Sequence, residues 1–189
     1  MLIAVLEALG WAAAPQPIAV TEAESKVLAA RDIVVRAGGS GGTTVAFMDL
    51  KSTPEKALAA VMDLTPRAGE VSALTRAEPY DALPDKLRPT QMGGAFELTI
   101  LGSKTRFNIN YAIDWDAGWV TYHLDPTKTN DITSSNGSYQ VYGVDGGLTR
   151  LIYRSEVATS GYVPGWVKEK LTTGSLKDMM RGVRTRAER

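Results

Sequence analysis

The chain contains no cysteine and a single histidine, His123. Without cysteine there is no disulfide framework, thiol nucleophile or thiolate metal site. One imidazole excludes a multi-histidine metal centre. The formal net charge is zero, with 21 basic against 21 acidic residues, so no global basic field argues for nucleic acid. No apolar run is long enough to span a bilayer. The glycine run at 38–42 (GGSGG) lacks the Gly-Lys-Ser/Thr of a phosphate loop and opens a strand rather than a helix, so it reads as a turn. No cofactor is implied.

What remains is an ordinary soluble composition, 44% hydrophobic and 22% charged over 189 residues, enough for one domain with a proper core. Residues 1–14 (MLIAVLEALGWAAA) have two readings. They end in Ala-x-Ala before Pro15, like the end of a secretory signal. Against that, no basic residue precedes the apolar run and Glu7 interrupts it, which suits a short docked helix. Cytoplasmic and exported locations both stay open.

Local signals order the rest. Thr21 and Glu24 have capping-box spacing, which predicts a short helix over 21–30. Residues 32–36 and 43–50 read as strands. Pro54 at a first helical position, behind Ser52 or Thr53 as cap, predicts a helix to Leu64, ended by Pro66. Strands are expected over 70–78, 94–101, 105–115, 119–124, 132–144 and 148–157, with a loop bracketed by Pro79, Pro84 and Pro89. Gly102-Ser103 and Asp145-Gly146-Gly147 are hairpin signals. Such tight connections predict an antiparallel sheet.

Alternation assigns the faces. Phe107, Ile109, Tyr111 and Ile113 share one side, as do Phe96, Leu98 and Ile100; Arg106, Asn108 and Asn110 take the other. The apolar face needs a cover. Residues 163–189 have helical periodicity and the length to supply it. The expected fold class is α+β: a curved antiparallel sheet wrapped around a long C-terminal helix, with 1–40 as an N-terminal extension and 41–189 as a ligand-binding domain.

Chemistry-bearing residues are few. Asp114 and Asp116 flank Trp115 beside a turn, where local hydrogen bonding is the plainer role. The terminal helix places Val163, Val167, Leu171 and Met179 near one stripe, flanked by Trp166, Leu176, Met180 and Val183, and interrupted by Gly174 and Ser175. Small residues there would leave room for a ligand, and methionine adapts to varied apolar shapes. From 168 onward the helix carries seven basic and three acidic residues, suited to transient membrane contact or simply to a solvated helix C-terminus.

The helix PEKALAAVMD (54–63), the strand TRLIYRSEV (149–157) and the tail VPGWVKEKLTTGSLKDMM (163–180) together resemble the START-like, or SRPBCC, superfamily. This is the polyketide cyclase/dehydrase and lipid transport group, including its coenzyme-Q-binding and single-domain bacterial members. The resemblance covers about residues 43–187. It implies a helix-grip fold with a deep apolar cavity between sheet and terminal helix, and binding or transfer of a lipid, sterol, quinone or polyketide-like molecule. The expected ligand contacts are Phe107, Ile109, Tyr111 and Tyr122 from the sheet, and Trp166, Leu171, Met179, Met180 and Val183 from the helix. Release would use the 126–131 loop or a 161–164 hinge. The alternative is a cyclase or hydratase with an ionisable group in that cavity, for which Arg106, Arg150, His123 and Asp114 are the candidates. No catalytic residue carries over from the resemblance, and oligomeric state is not legible.

Overall fold

The computed structural model describes residues 14–38, 42–81, 88–100, 102–158 and 174–189. Expectations that fall on 1–13, 39–41, 82–87 and 159–173 lie outside these residues, including those for Trp166, Leu171 and the 161–164 hinge. The described elements are α1 (Glu22–Ala29), β1 (Val34–Arg36), β2 (Thr44–Leu50), α2 (Pro54–Met62), α3 (Arg67–Glu70), β3 (Leu74–Tyr80), β4 (Gln91–Ile100), β5 (Ser103–Asp114), β6 (Trp119–Leu124), β7 (Ser134–Val144), β8 (Leu148–Ala158) and α4 (Ser175–Ala187).

All eight strands form one antiparallel sheet, in the order β1-β2-β8-β7-β6-β5-β4-β3. The order dictates the layout. β2 lies beside the last strand, whereas β3 is the far edge, so the chain between them must cross the whole sheet. It does so through α2 and α3, which pack on the same face as α4. The helix-facing core joins Ala57, Leu58 and Val61 of α2 to Leu176, Met180 and Val183 of α4, and both to Tyr111, Tyr122 and Tyr139 of the sheet.

Local chemistry explains the element ends. Thr21 and Glu24 make the reciprocal capping box at α1. Thr53 caps α2, and Pro54 occupies a first-turn position where its missing N–H costs nothing. Pro79 was expected to begin a loop, yet β3 runs through it to Tyr80, opposite Gly94 and Gly93. β3 is an edge strand, so proline can sit there with no lost ladder partner. The expected strand over 70–78 also starts later: Arg67–Glu70 forms a turn of helix, α3, and pairing begins at Leu74.

The sheet is covered on more than one side. All seven residues of β2 are buried. Ala46, Met48 and Leu50 face the helices, while Val45 and Phe47 join Leu28 of α1 and Ile152 in a smaller core on the opposite face. Asp49 of β2 and its register partner Arg150 of β8 form a bidentate pair on that face, both bonds 2.8 Å. Alternation therefore assigned the sheet faces correctly, but the outer face is partly dry because the N-terminal segment lies over it; Gln140 also donates to the Pro15 carbonyl at 2.9 Å.

Candidate functional site

The inner face of the sheet concentrates tyrosine. Tyr111 (β5), Tyr122 (β6), Tyr139 (β7) and Tyr153 (β8) come from four adjacent strands, each at an inward position of its alternation. Tyr122 stands at the centre, its ring centroid 5.9 Å from Tyr111, 5.8 Å from Tyr139 and 6.4 Å from Tyr153; Tyr139 and Tyr153 are 5.0 Å apart. Contacts of this kind add about 0.5–1.5 kcal/mol each beyond area burial. The Tyr122 hydroxyl donates to the Tyr153 hydroxyl at 3.1 Å and lies 3.4 Å from the Arg154 carbonyl oxygen. It can lie there because position 137 is glycine. A Cβ at Gly137 would overlap both the Tyr122 hydroxyl and the Arg154 carbonyl. The Tyr139 hydroxyl points at the Met179 sulfur of α4, 3.7 Å away.

One full charge is enclosed with these rings. Arg67, the first residue of α3, is 4% exposed. Its Nη2 donates to the Val61 carbonyl, near the C-terminal end of α2. Its guanidinium carbon is 5.8 Å from the centre of the Tyr139 ring. Its Nε is buried with no acceptor among the described residues. Among the described residues Arg67 makes no ion pair. Its helical neighbour Glu70 is engaged elsewhere, paired with Arg186 of α4.

The tyrosines cannot serve as its counter-charge near neutrality. Burial pushes the Tyr139 hydroxyl up to about 12, with the Arg67 charge pulling in the opposite direction. Tyr111 is raised further by the same burial, and Tyr122 is also raised well above the ordinary tyrosine range.

The expected contact residues divide by position. Ile109, Tyr111 and Tyr122 are buried on the inner face, and Phe107 is half-buried there, stacked on Phe96 at 5.3 Å. Met180 and Val183 are fully enclosed, whereas Met179 is half-buried beside Tyr139. The buried stripe of α4 runs through Leu176, Met180, Val183 and Ala187. Met179 lies beside that stripe rather than on it, the reverse of the sequence expectation. Gly174 is exposed at the start of the described helix, with no heavy atom within 4 Å of the place a Cβ would take, so it does not face the tyrosines.

The four ionisable residues proposed from sequence all lie away from the interior. Arg106 pairs with Glu97 on the outer face, holding that carboxyl at about 2. Arg150 pairs with Asp49. His123 is exposed. Asp114 accepts from the Asp116 and Ala117 amides at 3.1 and 2.9 Å, a turn role. The residue that is inside, Arg67, was missed. On a helical turn an arginine with glutamate three places on suggests an exposed i,i+3 pair; the structure separates the two instead. Tyr139 and Tyr153 could have been found from strand alternation, which places both on the inner face.

The 126–131 loop is hydrogen-bonded to β5. Asp131 exchanges bonds with the Arg106 backbone, 2.7 and 2.8 Å, and Asn130 Oδ1 accepts from the Asn108 amide at 2.7 Å. Asn108 in turn donates to the Thr129 carbonyl at 3.0 Å. Two surface clefts, of about 420 and 330 Å³, lie outside the helix–sheet interior, around Lys51–Lys56 and the end of α4. No group of metal-ligating side chains occurs among the described residues, and none of their helices is long and apolar enough to cross a membrane.

No protein-family model and no curated protein matches the chain in sequence. Solved structures do match in shape. A START superfamily protein from Mycobacterium smegmatis aligns with a TM-score of 0.56 at 17% identity, covering 77% of this chain and 97% of that one. A STAR-related lipid transfer protein from Xanthomonas axonopodis gives 0.60 at 14%, covering 80% and 92%. The Zhui aromatase/cyclase from Streptomyces sp. R1128 gives 0.52 at 12%, covering 77% and 85%. At these identities the likeness is one of fold, and together with the strand order and the helix-covered sheet it establishes that this chain has the START-like, helix-grip fold.

Proposed function

We propose that the protein binds a hydrophobic small molecule between the inner face of its sheet and its terminal helix, and carries it rather than transforming it. The observation that supports this most directly is the tyrosine cluster facing Met179. It offers broad aromatic area with hydroxyls at the ring tips, the mixed lining that suits a largely apolar guest with a little polarity. Solved neighbours of the same fold include proteins named for lipid transfer and for aromatase/cyclase activity, which favours a lipid-like or polyketide-like guest. Phe107, Ile109, Tyr111 and Tyr122 are the proposed sheet contacts. Met179, Met180 and Val183 are the proposed helix contacts, with Trp166 and Leu171 completing the set. The driving force would be burial of ligand area at roughly 25 cal/mol per Å².

The experiment is organic extraction of the purified protein followed by mass spectrometry, alongside displacement of a fluorescent fatty-acid probe by panels of lipids, sterols and quinones. A co-purifying lipid or polyketide, or displacement at micromolar concentration, is the expected result. Absence of both across the panels sinks the proposal. The cyclase reading keeps one point in its favour, the buried Arg67 and the Tyr122–Tyr153 hydroxyl pair. It requires turnover of a bound poly-ketone, and a product identical to the uncatalysed one would remove it.

A further inference from the structure

Arg67 raises a question that apolar binding alone does not answer. A guanidinium stays protonated at any physiological pH. Enclosing it without a counter-ion is costly, and such groups are paired or hydrogen-bonded almost everywhere. Here the compensation is partial. The Val61 carbonyl near the negative end of α2 accepts one N–H, and the face of Tyr139 offers a weak cation–π contact. Nε is left with no acceptor among the described residues. The tyrosine hydroxyls around it are neutral, and the nearest carboxylate along the chain, Glu70, is committed to Arg186. If Arg67 only filled space, a methionine or leucine would do so at lower cost.

We propose that Arg67 is a recognition site for the acidic group of the ligand, and that the natural guest is a hydrophobic organic acid whose carboxylate takes the place of the missing counter-ion. This rests on the reading that a small molecule binds between sheet and helix. It adds that the guest is a single-headed acid inserted head-first. The guanidinium presents parallel N–H donors suited to a carboxylate. The Tyr111 and Tyr139 rings beside it carry hydroxyls that can donate to the same group. One buried positive charge balances one negative charge. A phosphate head, which carries more charge and hydration, would remain unbalanced in this setting.

The test uses a matched pair of fluorescent probes, cis-parinaric acid and its methyl ester, titrated into the wild-type protein and into Arg67→Met and Arg67→Lys. Charge-assisted hydrogen bonds of this kind are expected to make the acid about ten- to hundredfold tighter than the ester in the wild type. Arg67→Met is expected to bring the acid down to the ester's affinity while leaving the ester unchanged, and Arg67→Lys to keep part of the preference. Equal binding of acid and ester by the wild type overturns the proposal and leaves simple hydrophobic binding standing. Loss of both probes in Arg67→Met, with the variant folded, also overturns it by assigning Arg67 a structural role. Failure of both probes to bind the wild type overturns the underlying binding reading and this one with it, whereas binding of the acid alone is the expected preference in its strongest form. The wild-type comparison decides the matter even where Arg67→Met does not fold.

Discussion

Replacing Gly182 with alanine separates two effects of opposite sign. In an ordinary helix interior, glycine to alanine gains about 1 kcal/mol from helix propensity alone. Gly182 is not in an ordinary place. α4 passes so close to α3 there that a Cβ on Gly182 would overlap the Glu70 carboxyl group, the farther oxygen being 2.7 Å away. Glu70 cannot move freely, because it pairs with Arg186, whose side chain is 11% exposed and also donates to the Ala60 carbonyl at 2.9 Å. Either α4 shifts outward and loosens Met180 and Val183, or Glu70 swings away and leaves Arg186 with only the longer, 3.7 Å contact to Asp63 as counter-charge. Overpacking costs about 1–3 kcal/mol, and breaking a largely buried pair costs about 3–5 kcal/mol. Whichever route is cheaper, the strain should exceed the propensity gain, for a net loss of about 1–3 kcal/mol. Urea denaturation followed by circular dichroism reads this as a lower midpoint with an unchanged slope. Repeating Gly182→Ala in a Glu70→Ala background removes the obstacle, and the substitution should then stabilise by up to about 1 kcal/mol. A stabilising Gly182→Ala in the wild-type background would refute the account of how α3 and α4 meet.

Three further outcomes follow from the same geometry. Asp49→Ala should cost about 3–5 kcal/mol in chemical denaturation because it strands Arg150, and the double variant Asp49→Leu/Arg150→Met should recover most of that loss; equal loss in the single and double variants would contradict it. Gly137→Ala should displace the Tyr122 hydroxyl from Arg154 and Tyr153 and lower the thermal midpoint by several degrees, for a cost of about 1–3 kcal/mol; a midpoint within a degree of wild type speaks against that packing. Glu24 is held at about 2 by its hydrogen bond to Arg36, assisted by the Thr21 amide, against an ordinary 4.5. A depressed carboxyl stabilises fully above its unfolded value and loses that contribution as pH falls from 4.5 toward 2. Stability measured across that window should therefore fall less steeply in Glu24→Gln than in the wild type.

The parts of this fold that local chemistry controls were legible in the sequence. The capping box at Thr21, Pro54 behind Thr53, the Gly102 hairpin and the alternation from Phe107 to Ile113 each carry their geometry in a few adjacent residues. What escaped was decided by long-range partners. The short helix α3 holds four residues, too few for a periodic signal. Its two charged side chains look like a local pair until the fold sends Arg67 toward Tyr139 and Glu70 toward Arg186. The polar wall of the interior was missed for the same reason. A lone arginine after a proline carries no local mark of burial, and alternation alone does not say that inward tyrosines of four strands converge. The bonds that hold the 126–131 loop were not legible either, because they join side chains to backbone. Asn108, Asn130 and Asp131 all bond to backbone across the gap where β6 has ended.

These fixings bear on how a guest could enter. The sheet side is bonded at the 126–131 loop, and α4 is anchored at its C-terminal end. Ser52 donates to the Ala187 carbonyl at 2.7 Å, the Lys51 amide donates to Glu188 at 2.9 Å, and Arg31 pairs with Glu188 as Arg186 does with Glu70. Lifting α4 would break the three bonds at Ala187 and Glu188, at about 1 kcal/mol each, and the Arg186–Glu70 pair, at about 3–5 kcal/mol, and would expose Leu176, Met180 and Val183, at about 2 kcal/mol each. The total, above about 10 kcal/mol, is as large as the whole stability of a typical domain. Such an opening amounts to unfolding. α4 from Leu176 onward is therefore a fixed wall, and its one half-buried methionine, Met179, is where that wall meets the tyrosines.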